Sequence, residues 1–132
     1  MIRPLKQTDY MAAKHIFQEN FHITEEPHFI YAWRKRTPEK CLGYWYLGVL
    51  IAAAIVGANK LHYIYTHNNF KGIGIGTQLL ETVLEQNPNI YLTPVANTDI
   101  QRWYKHHGFH LSQQSGEYKI FVRHAHNTRK IR

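Results

Sequence analysis

A chain of 132 residues that is 44% hydrophobic and 14% aromatic can bury about two-thirds of its unfolded surface in one core, which excludes wholesale disorder and leaves no need for a second domain. Sixteen Lys and Arg against nine Asp and Glu leave a formal net charge of +7, which favours anionic partners such as nucleic acid or a phosphorylated cofactor. The longest apolar run, residues 47–57, is about half of what a bilayer-spanning helix requires, the N-terminus lacks a signal-peptide apolar core, and Cys41 stands alone; the expectation is a cytoplasmic protein with no membrane partner, no disulfide and a buried, inert thiol.

Residues 2–5 read as a first strand. Thr8 follows as the N-cap of a helix, ahead of Asp9, that runs to about Glu19 with Ala12, Ile16 and Phe17 on one apolar face. Residues 21–27 read as a loop and residues 28–36 as a short helix burying Phe29, Ile30 and Trp33 before Thr37-Pro38 stops it. Aromatic, β-branched and small residues fill positions 41–66, with breaks near Leu47-Gly48 and residues 57–60, which predicts three antiparallel strands. Ile75, Leu79, Leu80, Val83 and Leu84 recur at helical spacing, so a helix runs from there to a stop before Pro88. Residues 90–95 read as a strand. Ile100, Trp103, Tyr104 and His107 form a helical stripe closed by Gly108, and residues 109–112 and 117–122 form a closing hairpin around 113–116. This order predicts an α+β domain over residues 1–123, a mixed sheet with helices on its faces, followed by a basic tail at residues 124–132 expected to be disordered.

Between the third antiparallel strand and the helix that begins near Ile75, the stretch Asn69-Phe70-Lys71-Gly72-Ile73-Gly74-Ile75-Gly76-Thr77 carries three alternating glycines. Glycine amides can crowd into a concave anion site, and the following helix adds its dipole and its free first-turn amides. An ordinary flexible turn fits the same residues. A P-loop requires GxxxxGK followed by Ser or Thr, and no lysine follows Gly76; a dinucleotide fingerprint requires GxGxxG, and Gly74-Ile75-Gly76 leads instead into Thr77, Gln78 and Leu79, with no acid near position 92.

Residues 64–80 resemble the cofactor motif Q/RxxGxG/A of the GNAT superfamily of acyl-CoA-dependent N-acyltransferases, with Lys71 at the Gln/Arg position and Gly74 and Gly76 at the two small ones. Asn97, Ile100, Tyr104, Gly108 and Phe109 are similar to a second family block, NxxAxxxYxxxGF. Ile2-Arg3-Pro4 and Asp9 resemble the family's start, so the resemblance covers residues 1–122. It implies a mixed six- to seven-stranded sheet flanked by about four helices and splayed between the fourth and fifth strands. It also implies acetyl-CoA as co-substrate. Lys71 and Gly72 with the amides of Ile73, Gly74, Ile75, Gly76 and Thr77 would hold the pyrophosphate, the backbone of Ile64 and Thr66 would pair with the pantetheine arm, and Asn97 would contact that arm or cap the helix.

Acyl transfer requires a neutral amine near the thioester, a donor for the oxyanion and a proton for the departing thiolate. Tyr104 matches the family's general acid; a core tyrosine on the helical stripe is the alternative. His62 is the candidate base, because it precedes Ile64 by two residues and strand alternation points both toward the same gap. The block over residues 61–67 also resembles arylalkylamine N-acetyltransferases, which carry a histidine at the His62 position and another where this chain has Lys60; a structural histidine in the sheet fits as well. His106, His107 and His110 are not read as a metal site, since the turn at Gly108 separates their directions and no cysteine or acid joins them.

In this family the acceptor lies between residues 21–36 and the closing hairpin. Phe21, Phe29, Tyr31 and Trp33 there point to a small aromatic or apolar amine, with Glu25 and Glu26 available to attract its charge. The expected function is acetyl transfer from acetyl-CoA to a primary amine, read as a small molecule, by direct attack in a ternary complex. Protein Nα- or lysine acetylation is the runner-up. A CoA-binding sensor or a nucleic-acid-binding module without turnover is the alternative of a different class, although the basic tail lacks an aromatic platform and nucleic acid is not the expected partner. A homodimer is left open.

Overall fold

The computed structural model describes residues 1–124. Seven strands, β1 (Ile2–Pro4), β2 (Leu42–Tyr46), β3 (Val49–Gly57), β4 (Lys60–Thr66), β5 (Ile90–Leu92), β6 (His110–Ser115) and β7 (Tyr118–Arg123), form one sheet in the order β1-β2-β3-β4-β5-β7-β6. All pairs are antiparallel except β4 with β5. Four α-helices flank the sheet: α1 (Tyr10–Asn20), α2 (Glu26–Lys35), α3 (Ile75–Gln86) and α4 (Thr98–His106). The expected α+β class, mixed sheet and helix count are all present.

Strand β3 is buried on both faces, which explains its unbroken apolar run and its three central alanines. Ala52, Ala54 and Val56 pack with Leu79, Leu80 and Val83 of α3, while Ala53 and Ile55 pack with Ile16 and Phe17 of α1 and Phe29 of α2. Two apolar layers thus sandwich the sheet, with α1 and α2 on one face and α3 on the other. Cys41 lies in the first of these layers, fully buried, with its Sγ near the Val56 carbonyl at 3.3 Å, and burial pushes the thiol up to about 11.

Several local expectations are corrected. Thr8 caps nothing: residues 7–9 form a short 3₁₀ turn, and the Asp9 carboxylate accepts the Lys6 amide at 2.7 Å ahead of a helix that begins at Tyr10. Ala13, not Ala12, joins Ile16 and Phe17 in the core, because i, i+3, i+4 spacing is satisfied by 13-16-17. Helix α2 starts at Glu26 with Pro27 in its first turn, where the missing N–H removes no hydrogen bond. Phe29, Ala32 and Trp33 are buried and Ile30 is only half-buried. Strand β5 stops at Leu92, and the closing hairpin turns at Gly116, whose φ is 61°. The basic tail lies, from residue 125 onward, outside the described residues.

Candidate active site

The sheet opens between β4 and β5. The two strands share a single register pair, Lys60 with Tyr91, after which β5 pairs only with β7. On the other side of β4 the His67 amide donates to the Ile51 carbonyl at 2.7 Å, which makes these two residues a hydrogen-bonded pair. Counting back along the ladder, Tyr65 bonds to Ala53 in the same way, while Thr66 and Ile64 stand opposite Ala52 and Ala54 as non-hydrogen-bonded pairs. Backbone groups of Ile64 and Thr66 therefore point away from β3, into the opening. The Thr66 carbonyl is taken by the Asn20 side-chain amide at 3.0 Å. That leaves the Ile64 amide and carbonyl and the Thr66 amide with no backbone partner among the described residues.

The glycine stretch lies at the C-terminal end of the same strand. Gly72 and Gly74 both adopt positive φ, 81° and 90°, and nothing lies within 4 Å of where a Cβ on either would stand. Backbone strain, not crowding, is what excludes other residues there. Gly74 is the N-cap of α3, and the first intrahelical bond runs from the Gln78 amide to the Gly74 carbonyl at 3.0 Å. The amides of Ile75, Gly76 and Thr77 precede that bond, so the helix presents them at its positive end. Lys71 and Ile73 are exposed beside them.

Helix α4 closes over this turn. Trp103 donates its indole N–H to the Thr77 hydroxyl at 3.1 Å, and a Cβ on Gly76 would lie 3.6 Å from the Thr66 hydroxyl and 4.0 Å from the Trp103 ring. The end of β4, the start of α3 and the middle of α4 thus meet at one point. Tyr104, the next residue, is buried on the α3 face of the sheet between Trp103 and Phe109, with ring centroids at 5.1 and 5.5 Å. Burial raises its hydroxyl well above the ordinary tyrosine range. Asn97 caps α4, its Oδ1 accepting the Ile100 amide at 2.9 Å.

His62 is not brought to the same place. The register steps from Val56↔Leu61 to Ile55↔Tyr63, so His62 is the extra residue of a β-bulge and the alternation that aligned it with Ile64 fails. Its Nε2 lies 3.1 Å from where a Cβ on Gly57 would stand, and the Lys35 carbonyl lies 2.9 Å from that point. Gly57 shares the face of Ala53 and Ile55, so the imidazole sits on the α1/α2 side, near the end of α2. Burial and then the Lys60 charge lower its pKa below the ordinary histidine value.

Residues 25–111 match the family model described as Acetyltransferase (GNAT) domain, a span that includes β4, the glycine loop and α4. The chain belongs to the GNAT acetyltransferase family. It is a GNAT-type N-acetyltransferase, and the donor of such enzymes is a CoA thioester. No curated protein sequence matches it. Its fold is similar to Ard1 from Thermoplasma volcanium, at TM-score 0.72 and 20% identity over 92% of this chain and 93% of that one. It is similar also to the ribosomal-protein-S18-alanine N-acetyltransferase from Escherichia coli, at TM-score 0.71 and 20% identity over 92% and 90%. Naa50 from Arabidopsis thaliana, in complex with the bisubstrate analogue CoA-Ac-MVNAL, matches at TM-score 0.68 and 17% identity over 92% and 95%.

On the α1/α2 face of this GNAT domain, the aromatic residues expected around an acceptor mostly serve the core. Phe29 and Trp33 are buried against Tyr10 and Phe17, and Tyr31 faces solvent. Phe21 is half-buried, edge-on to Tyr63 at 5.3 Å. Burial and the Glu25 carboxylate push the Tyr63 hydroxyl up to about 12. A cavity of about 230 Å³ lies close by, lined by Phe17, Gln18, Phe21, His22, Ile23 and Glu26. A larger one of about 630 Å³, lined by Glu81, Leu84, His106, His107 and Arg123 among others, sits toward the C-terminal ends of α3 and α4, away from the glycine loop. Among the described residues no group of three or more His, Cys, Asp or Glu converges as metal ligands would, and no helix is long and apolar enough to cross a membrane.

Two residues that tie down the edges of this opening carried no usable signal in sequence. Trp103 looked like one more member of an apolar stripe, and Asn20 reaches Thr66 across 46 positions.

Proposed function

We propose that this chain transfers an acetyl group from acetyl-CoA to a primary amine. The observation that carries the reading is the opening beside β4, where the backbone groups of Ile64 and the Thr66 amide lie unpaired next to the amides that begin α3. An extended amide chain ending in a pyrophosphate fits both features at once: a pantetheine arm pairs with Ile64 and Thr66 as an added strand, and the phosphates meet the amides of Ile73, Gly74, Ile75, Gly76 and Thr77 beside Gly72 and Lys71. Net charge of +7 favours that anion. Asn97 serves this site by holding the N-terminus of α4 in place.

Acetyl-CoA supplies the activated acyl thioester, which a neutral amine attacks directly in a ternary complex. Tyr104, on the α3 face, donates a hydrogen bond to the departing thiolate; with its hydroxyl raised so far, it stabilises the charge and does not give up its proton outright. The amine's proton leaves through water, and His62, away from the thioester beside Gly57 and the end of α2, takes it up as a neutral base.

The cavity of about 230 Å³ between α1 and α2 is below the usual range for drug-sized ligands, which supports a small amine acceptor. The same volume suits one terminal residue of a peptide, and the solved folds similar to this one include a ribosomal-protein-S18-alanine N-acetyltransferase; protein Nα-acetylation is therefore the second reading. Thiol release from acetyl-CoA, measured across a panel of small amines and peptides, tests the proposal. Turnover with one class identifies the acceptor, and tight CoA binding without turnover of any acceptor would replace the enzyme reading with that of a CoA sensor.

A further inference from the structure

We infer that Glu19 and Asn20, the last turn of α1, are positioning residues for the CoA donor: together they clasp the segment that joins β4 to the glycine loop. The inference rests on the donor site proposed above. Glu19 takes two partners from that segment. Its Oε1 accepts the Asn68 amide at 3.0 Å, and its Oε2 lies 3.4 Å from His67 Nε2. His67 in turn accepts the Asn69 amide at Nδ1, 3.1 Å away, and stands edge-on to the Phe70 ring at 5.8 Å. Since Nδ1 is an acceptor, the ring proton belongs on Nε2, directed at the Glu19 carboxylate. A single acidic side chain thereby orders two successive backbone amides, one directly and one through the imidazole.

Asn20 acts one residue earlier. Its side-chain amide donates to the Ile16 carbonyl within its own helix and to the Thr66 carbonyl, both at 3.0 Å. Thr66 O is the last outward-facing acceptor of β4, so occupying it leaves the Ile64 carbonyl as the acceptor and the Ile64 and Thr66 amides as the donors open to an added chain. Asn20 therefore sets where along β4 a pantetheine arm can pair. Beyond the clasp, Lys71, Gly72, Ile73 and Gly74 are all exposed and two of the four hold positive φ, a conformation with little to order it from within. Anchoring its start at Asn68 and Asn69 lowers the conformational cost that phosphate binding must meet.

The experiment is calorimetric titration of Glu19→Ala with CoA, together with steady-state kinetics. Losing a charge-assisted hydrogen bond that orders the loop should weaken CoA binding about tenfold. The loss should fall on KM for acetyl-CoA, not on kcat, with KM for the amine unmoved. Glu19→Gln, whose amide oxygen still accepts the Asn68 N–H, should recover part of the affinity, while the shorter Glu19→Asp should not. In the absence of any ligand, amide exchange at Asn68 and Asn69 should accelerate in Glu19→Ala while exchange in β3 stays slow, which separates loop release from global unfolding. Unchanged CoA affinity in Glu19→Ala, or an equal rise in KM for the amine, overturns the inference. Should the wild-type chain bind no CoA, the donor-site reading fails, and the exchange rates at Asn68 and Asn69 still decide whether the clasp orders the loop.

Discussion

Trp103 donates its indole N–H to the Thr77 hydroxyl across 3.1 Å, joining α4 to the first turn of α3 over 26 positions of sequence. The bond places the residue before Tyr104 against the proposed phosphate-binding turn, so the proposed thiolate-stabilising hydroxyl and the donor grip share one support. Trp103→Phe keeps a ring but removes the donor. A hydrogen bond of this kind contributes about 1 kcal/mol net, so the variant should melt about 4 °C lower and bind CoA several-fold more weakly. Calorimetry on the wild type and Trp103→Phe checks this; wild-type CoA affinity in Trp103→Phe would show that the tie is structural only.

Tyr104 should act without titrating. Its hydroxyl, raised by burial, stays protonated throughout the range in which acyl transfer is measured. Losing one hydrogen-bond donor to the developing thiolate, Tyr104→Phe should lower turnover by roughly 10² to 10³ while CoA affinity changes little. The wild-type rate profile should show no alkaline limb that vanishes in the variant, and such a limb would mean that Tyr104 loses its proton during turnover.

His62 makes a prediction of opposite sign. Its folded pKa lies below the unfolded value of 6.5 because burial and Lys60 disfavour the charged ring. The neutral base is therefore present at neutral pH and is lost as pH falls through a midpoint below 6.5. Stability follows the same direction, unaffected by this group above 6.5 and declining as pH drops toward the folded pKa, because the unfolded chain then binds more protons. In His62→Ala the acidic limb of the rate profile should flatten. A retained limb assigns the base to another group, or to water alone.

Two of the three loop glycines, Gly74 and Gly76, should respond differently to alanine. Gly74 has φ of 90°, so Gly74→Ala costs roughly 1–2 kcal/mol of backbone strain although no atom lies within 4 Å. Gly76 is helical, with its nearest neighbour to an added Cβ at 3.6 Å, so Gly76→Ala should be tolerated or stabilising by up to about 1 kcal/mol. Thermal melts of the two variants should therefore move in opposite directions.

Where periodicity or glycine chemistry speaks, the chain is legible without coordinates. Five apolar residues at helical spacing define α3, and all five are buried. Pro27 misleads because the same residue that breaks a helix interior is accepted in a first turn, and the distinction depends on what precedes it in space. His62 misleads for a related reason: alternation holds only while the ladder keeps its register, and the bulge that breaks it arises from pairing with β3. Phe29 and Trp33 looked available for an acceptor because composition counts aromatic residues without saying which layer they fill.

The sequence by itself determined the three-layer class, the glycine turn at the end of β4 and the family to which both belong, because each is written in local spacing and local conformational preference. Tertiary structure decided the rest. Which backbone groups of β4 stay unpaired, which face His62 takes, and which side chains of α1 hold the glycine loop all depend on contacts between residues tens of positions apart. Such contacts are set by how the two apolar layers close on the sheet, which no local pattern encodes.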